Sequence, residues 1–187
     1  TVVGSYAAER MTTGKENTIL GHEAGAYLTT ASGSVMIGED AGRSVTTGNT
    51  NIAIGSNAMN GGATTANDNI GIGRDSFGTG LTTGFTNIGI GYRALQECTE
   101  GYNNTAVGNS AGLSLTDGDA NTFLGNYAAY GATTVREAVV IGHAAGQGAM
   151  TSDANGTVAV GAVALNGLTS GQFNVAVGYY AMEDETQ

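Results

Sequence analysis

The sequence predicts an all-β protein, a parallel β-solenoid of about eleven coils with about 17 residues in each coil. Three observations predict it. Glycine is abundant, with 32 residues, proline is absent, and only 12% of the residues are charged. The glycines recur with a regular period, and each period carries a short run of β-branched residues. Such periodic self-similarity is typical of a repeat architecture rather than of a low-complexity segment.

The register of the repeat is defined by a glycine that follows an aliphatic residue. Successive glycines of this kind are 17 to 19 residues apart, and most spacings are 17. They are Gly4, Gly21, Gly38, Gly55, Gly73, Gly91, Gly108, Gly125, Gly142, Gly161 and Gly178. A unit of this length is too short for a strand and a crossover helix, so each unit is expected to form one coil, stacked about 4.8 Å from the next.

Positions within a unit are numbered so that this glycine is position 5. Position 2 is β-branched in every copy, position 4 is Val, Ile or Leu, and position 8 is Ala except at Ser76. Position 1 is Asn in seven of the ten complete copies, and stacked amides of this kind predict an asparagine ladder. Turns of the form Thr-Thr-Gly, as at 12–14 and 46–48, often join the units, and their glycine is expected to adopt a positive φ.

The two faces of the predicted strand are both apolar. Position 4 is expected to fill the inside of the coil, with Leu20, Ile37, Ile54, Ile72, Ile90, Val107, Leu124, Ile141, Val160 and Val177 as the coil core. Position 3 is never polar, and a strand that is apolar on both faces is typically buried on both. The predicted trimer interface is therefore Ile19, Met36, Ala53, Gly71, Gly89, Ala106, Phe123, Val140, Ala159 and Ala176. The alternative is a wide two-sheet roll with both faces inside one chain.

The composition argues against several classes of partner. A net charge of −10 with only six scattered basic residues does not suit nucleic acid, whose phosphates need clustered Lys and Arg. No apolar run reaches the roughly 18 residues of a membrane span, so no membrane insertion is expected. Cys98 has no His in its own coil and is not expected to act as a nucleophile. The segment 89–94 matches G-x-G-x-x-A, but it is one copy of the repeat without a following helix.

Two patterns resemble metal sites. The segment 117–121 resembles the opening of a calcium loop, but Ala128 stands where the bidentate Glu is expected, which favours an acidic turn over a weak calcium site. His22 and His143 both occupy position 6, yet they lie seven coils apart and cannot share one metal ion. No catalytic, cofactor-binding or metal-ligating residue, and no cofactor, is therefore predicted.

The tyrosines at positions 6 and 7 are the main aromatic feature. They are expected either to pack along the edge of the coil or, where exposed, to stack on sugar rings. They are Tyr92, Tyr127, Tyr179 and Tyr180.

The fullest copies, such as Asn-Thr-Ala-Val-Gly-Asn-Ser-Ala at 104–111, combine with Thr-Thr-Gly turns into a unit that resembles the repeats of bacteriophage tail fibres. The unit is also similar to the Ala-Ile-Gly-x-x-Ala repeats in the heads of trimeric autotransporter adhesins, whose unit is shorter. The resemblance covers nearly the whole chain. It implies a homotrimer of left-handed β-rolls, located in a virion tail fibre or at an extracellular surface.

The expected organisation is a solenoid domain over 1–182 followed by an acidic tail or linker over 183–187, in a segment cut from a longer polypeptide. The expected function is a structural fibre, not an enzyme, that joins adjoining fibre segments and attaches to a host-surface glycan or protein. One alternative is a left-handed β-helix acyltransferase, because 54–59 matches one of its hexapeptides. Another is an ice-binding solenoid, although the Thr pairs here are adjacent. A glycan-cleaving tailspike would need paired carboxylates, which the spacing does not assign.

Overall fold

The structure, a computed structural model, describes residues 1–62, 64–79 and 81–183, and it confirms an all-β parallel solenoid of about ten turns. The strands are β1 (Val2–Val3), β2 (Thr18–Leu20), β3 (Val35–Ile37), β4 (Ile52–Ile54), β5 (Ile70–Ile72), β6 (Ile88–Ile90), β7 (Thr105–Val107), β8 (Thr122–Leu124), β9 (Val139–Ile141), β10 (Val158–Val160) and β11 (Val175–Val177). Of the predicted acidic tail, all but Glu183 lies outside the described residues. Within them, no helix is long and apolar enough to cross a membrane.

The strands form one parallel sheet whose spatial order is the chain order, from β1 to β11. Equivalent positions of the repeat lie opposite one another throughout, so that Ala53 pairs with Gly71 and Gly71 with Gly89. The register of the sheet is therefore the register of the sequence repeat. The unit of 19 residues places a short 3₁₀ helix, Ser152–Ala154, away from the sheet, where extra residues leave the strand pairing intact.

The glycine at position 5 is required for two separate reasons. Its φ lies between +127° and +145°, a range that residues with a side chain rarely adopt. A Cβ built on Gly142 would also lie 2.5 Å from the carbonyl oxygen of Gly161 in the next coil. Consecutive coils thus approach too closely at this point to admit any side chain.

The structure interchanges the two predicted faces of the strand. The position 3 side chains point into the coil, and Ile19, Met36 and Phe123 are 0% exposed. The position 4 side chains point outward, where Leu20 is 47% exposed. The predictions of a core at position 4 and of a trimer interface at position 3 are therefore wrong. The residues predicted at the trimer interface that lie inside the coil are Ile19, Met36, Ala53, Gly71, Gly89, Ala106, Phe123, Val140, Ala159 and Ala176. The residues predicted in the coil core that lie on the outside are Leu20, Ile37, Ile54, Ile72, Ile90, Val107, Leu124, Ile141, Val160 and Val177.

The interior of the coil explains why position 3 varies from Gly to Phe. Large residues there face glycines at position 9: a Cβ on Gly112 would lie 2.7 Å from Cδ2 of Phe123. The reverse also occurs, since a Cβ on Gly89 would lie 2.8 Å from Cε2 of Phe77. The narrow core is thus filled by pairing large with small residues across coils, as close packing of a protein interior requires. The position 8 alanines are buried within it, as expected, for example Ala58 and Ala111.

The predicted asparagine ladder is confirmed and is buried. The side-chain oxygen of Asn69 accepts hydrogen bonds from the backbone N–H and the side-chain amide of Asn87, at 2.9 and 3.1 Å. The amide of Asn87 also donates to the carbonyl of Gly101 at 2.7 Å. The same pattern runs from Asn51 to Asn121. These bonds satisfy polar groups that would otherwise be costly to bury.

The turn glycines differ from the expectation. Gly14, Gly48 and Gly84 do not have a positive φ; the left-handed conformation instead falls two residues later, for example at Thr50 with φ 54°. A Cβ on Gly48 would meet the carbonyl oxygen of Ala66 in the next coil. Close approach of the coils, and not a tight-turn dihedral angle, is therefore the reason for glycine at these positions.

Candidate functional site

The most extended surface feature is the outer side of the sheet, formed by the side chains at positions 2 and 4. We call this surface the apolar face. From β3 to β11 it consists of Val35, Ile37, Ile52, Ile54, Ile70, Ile72, Ile88, Ile90, Thr105, Val107, Thr122, Leu124, Val139, Ile141, Val158, Val160, Val175 and Val177. Over these nine strands it carries no charged residue and two polar side chains, Thr105 and Thr122. The first two coils extend the face with Val3 and Leu20 and with two further Thr, Thr1 and Thr18. The repeat spacing places these residues in two straight, parallel rows.

The size of the apolar face can be worked out from strand geometry. Eleven strands at about 4.8 Å, each about 10 Å wide over three residues, give a plane of about 500 Å². The largest apolar patch on an ordinary monomer covers about 300–600 Å² and often has a function. Two such faces pressed together bury about 1,000 Å², the area from which a specific protein interface is expected. The face is therefore large enough to hold a second copy of the chain.

Aromatic and basic residues flank the apolar face on both sides. On the side where the strands begin, Phe85 and Tyr102 are exposed and stack at 5.2 Å. On the side where the strands end, the guanidinium groups of Arg74 and Arg93 lie 4.5 and 5.0 Å from the ring centre of Tyr92. At these coils one border carries an exposed aromatic pair, and the other carries two arginines over a tyrosine ring, of which Arg74 also lies 3.6 Å from a carboxylate oxygen of Asp75.

The tyrosines predicted at positions 6 and 7 divide into two groups. Two arginines lie over the ring of Tyr92, and Tyr127 packs edge-on against Tyr130 and His143, so edge packing describes both. Tyr179 and Tyr180 are exposed at the end of the described stack and contact each other at 4.3 Å. Of the four tyrosines, Tyr179 and Tyr180 are the most exposed and therefore the most accessible for stacking on a sugar ring.

Cys98 lies inside the coil and not at a reactive surface. Its side chain is 0% exposed, and burial raises the pKa of the Cys98 thiol to about 12. The thiol therefore stays protonated near neutral pH, where only the thiolate would be nucleophilic.

The acidic turn at 117–121 does not converge on a cation. The Asp119 carboxylate is nearly buried, forms an ion pair with Arg136 at 3.1 Å, and accepts a hydrogen bond from the backbone N–H of Tyr102 at 3.2 Å. Asn121 belongs to the asparagine ladder. In the part of the chain that the structure describes, no group of three His, Cys, Asp or Glu side chains could hold a metal ion.

The two histidines at position 6 are both exposed, as expected. The ring of His22 packs edge-on against Tyr6 at 6.2 Å. Nδ1 of His143 lies 3.5 Å from the side-chain amide of Asn126. Each is an ordinary surface ring in contact with a neighbouring coil.

The structure also contains a threonine column that was not predicted from the sequence, at position 13 or, in the two units with an earlier insertion, one or two positions later. In the structure each of these hydroxyl groups donates a hydrogen bond to a backbone carbonyl of the next coil. The donors are Thr12, Thr29, Thr46, Thr65, Thr82, Thr99, Thr116 and Thr133. The signal was present in the sequence as a Thr two residues before the turn glycine, or before the residue that replaces it, in successive units. The column fastens the coils together on the side away from the strands.

No protein-family model, curated protein or solved structure matches this chain. The geometry of its surfaces therefore carries the functional argument.

Proposed function

We propose that the chain is a structural segment of a surface-exposed fibre, in which identical chains pack side by side through the apolar face. The single observation that carries this proposal is the outward side of the strands: position 4 is aliphatic along the whole stack, and position 2 is aliphatic in seven of the eleven coils and Thr in the others. An exposed flat face of this kind promotes aggregation unless another surface covers it. Copies of the same chain offer a cover that is equally apolar and has the same spacing.

A homotrimer of left-handed coils around an axis parallel to the stack is the assembly we favour. Cyclic symmetry closes the contact, so that no copy is left with a free apolar face. Around such an axis, the border of one chain that holds Phe85 and Tyr102 would face the border of the next chain that holds Arg74 and Arg93. Arginine over an aromatic ring is a favourable contact. The resemblance to phage tail fibres and trimeric adhesins supports the same arrangement.

The role we assign to such a fibre is passive. Identical levels joined by the asparagine ladder and the threonine column make a stiff spacer. The resemblance supports a place in a virion tail fibre or at an extracellular surface, between adjoining fibre segments. Attachment to a host-surface glycan or protein is the function that such a spacer would serve.

The oligomeric state tests the proposal. Size-exclusion chromatography with light scattering should give a mass three times the 18.6 kDa of one chain. The double variant Ile72→Lys with Ile90→Lys places two charges in the middle of the apolar face and should release monomers. Thr83→Lys adds a charge at an exposed turn residue outside that face and should leave the mass unchanged. A wild-type monomer at micromolar concentration would refute the assembly.

A further inference from the structure

A groove of about 260 Å³ lies on the first three coils, and its walls are Arg10, Tyr27, Thr29, Ser44 and Thr46. These residues occupy positions 11 and 13 of the repeat, nearly half a coil away from the strand residues. The groove therefore faces away from the apolar face. It stays open to solvent when the apolar face is covered.

The groove exists because one column of the repeat changes abruptly in size. Position 11 is Arg10, Tyr27 and Ser44 in three successive coils, so a large ring is followed by a small side chain. The guanidinium groups of Arg10 and Arg43 lie 4.3 and 4.9 Å from the ring centre of Tyr27 and hold it in place. Backbone hydrogen bonds to the next coil anchor the wall, for example from the N–H of Tyr27 to the carbonyl of Arg43 at 2.9 Å.

The two arginines beside Tyr27 are not equivalent. Arg43 lies 2.5 Å from a carboxylate oxygen of Glu23 and 3.5 Å from one of Asp40, and its hydrogen bond with Glu23 raises its pKa. Arg10 is exposed, and among the described residues no carboxylate lies within ion-pair distance of it. A guanidinium offers a planar fork of N–H donors that matches a carboxylate. The groove therefore presents one cation that the chain itself does not neutralise.

The hydroxyl groups of the groove place a second requirement on any ligand, in addition to the negative charge that Arg10 favours. Thr29 and Thr46 each donate a hydrogen bond to a carbonyl of the next coil at 3.0 Å, so toward the groove they can only accept. The Ser44 hydroxyl has no hydrogen-bond partner among the residues that the structure describes, and it can donate or accept. A matching ligand carries an anion for Arg10 and hydroxyl donors for the threonines. The volume is below the roughly 300–1,000 Å³ of pockets for drug-sized ligands, and it suits a single sugar ring.

We propose that this groove binds a saccharide that carries a carboxylate, such as a uronic acid residue of a larger glycan. The proposal deepens the attachment role of the proposed function, because it names the class of ligand and the place where it binds.

Ligand-observed NMR titrations with methyl glucuronide and methyl glucoside test this directly, since the two sugars differ only at C6, which is a carboxylate in the first and a neutral hydroxymethyl group in the second. The glucuronide should bind at least about tenfold more tightly than the glucoside, because a hydrogen bond to a charged group contributes more than a neutral one. Arg10→Gln should abolish that preference. Ser44→Ala should weaken binding by about two- to tenfold. Lys15→Gln is the matched control, since it also removes an exposed positive charge from the first coil but lies outside the groove, and it should bind as the wild type does.

Equal binding of both sugars, or unchanged binding by Arg10→Gln, would overturn the proposal. So would displacement of the glucuronide by an equal concentration of sulfate, because that would indicate a site for any anion. Light scattering on the same samples separates this proposal from the fibre. A trimer that does not bind glucuronide refutes the groove alone, and a monomer that binds it refutes the fibre alone. Unchanged circular dichroism of each variant shows that the chain still folds.

Discussion

The substitution Gly142→Ala examines the feature that defines the repeat. A Cβ at this position would lie 2.5 Å from the oxygen and 2.6 Å from the carbon of the Gly161 carbonyl, and the residue has a φ of +134°. The strained φ alone costs about 1–3 kcal/mol. The clash adds to this cost, because relieving it would separate two coils that the asparagine ladder and the threonine column hold together. We expect Gly142→Ala to lower the free energy of unfolding by about 4 kcal/mol or more, in the range of severe substitutions.

Gly178→Ala is the matched control for this effect. Gly178 has nearly the same φ, +133°, but the nearest atom to its added Cβ would be the Ala181 Cβ, 3.9 Å away. Its cost should therefore be the strain alone, about 1–3 kcal/mol. Urea denaturation followed by circular dichroism measures both variants, and amide hydrogen exchange reports the coil around each substitution separately. If Gly142→Ala costs no more than Gly178→Ala, close stacking of the coils is not the reason for the repeated glycine.

Three further predictions follow from the interior. Ala106→Lys buries a charge inside the coil and should lower the free energy of unfolding by about 4 kcal/mol or more. Val107→Lys places the charge on the outside, so it should keep the circular dichroism spectrum and only weaken association. The opposite outcome would mean that position 4 is inside and position 3 outside. Asn87→Ala leaves the buried amides of Asn69 and Asn104 short of hydrogen-bond partners, so the free energy of unfolding in urea should fall by about 2–4 kcal/mol. A fall of less than about 0.5 kcal/mol would show that the asparagine ladder adds little to stability. Cys98, with its pKa raised to about 12 by burial, should react with a disulfide reagent at pH 8 only after unfolding, and rapid labelling of the folded chain would contradict its placement.

The architecture could be predicted because every coil of the stack must place the same kind of residue against its equivalent in the next coil. The spacing of the position 5 glycines gave the coil length, and the asparagines at position 1 gave the ladder, since both sets of residues contact their own equivalents in the next coil. The faces of the strand could not be told apart in this way. Alternation identifies the inner face only when the outer face is polar, and here both faces are apolar.

The information that decides the faces lies in pairs of residues on different coils. Phe123 with Gly112, and Phe77 with Gly89, show that position 3 shares its space with position 9. This pairing is visible in the sequence once both columns are written out, because each large residue is matched by a glycine or an alanine. The groove at Arg10 is less predictable, since it depends on how three unlike residues of one column differ in size and charge.

The outward position of the residues at both position 2 and position 4 favours association between chains. With position 3 inside, seven of the eleven coils present two aliphatic residues to the outside instead of one. Covering about 500 Å² per chain at about 25 cal/mol per Å² gives about 12 kcal/mol, which is close to the roughly 4–15 kcal/mol that association costs in lost freedom of motion. Each of the eleven strands then contributes about 1 kcal/mol, so no single coil holds the assembly together. The strength of association through the apolar face should therefore rise steeply with the number of coils that lie in register. A fibre built from many equal coils offers many such contacts, whereas a single local site offers only one.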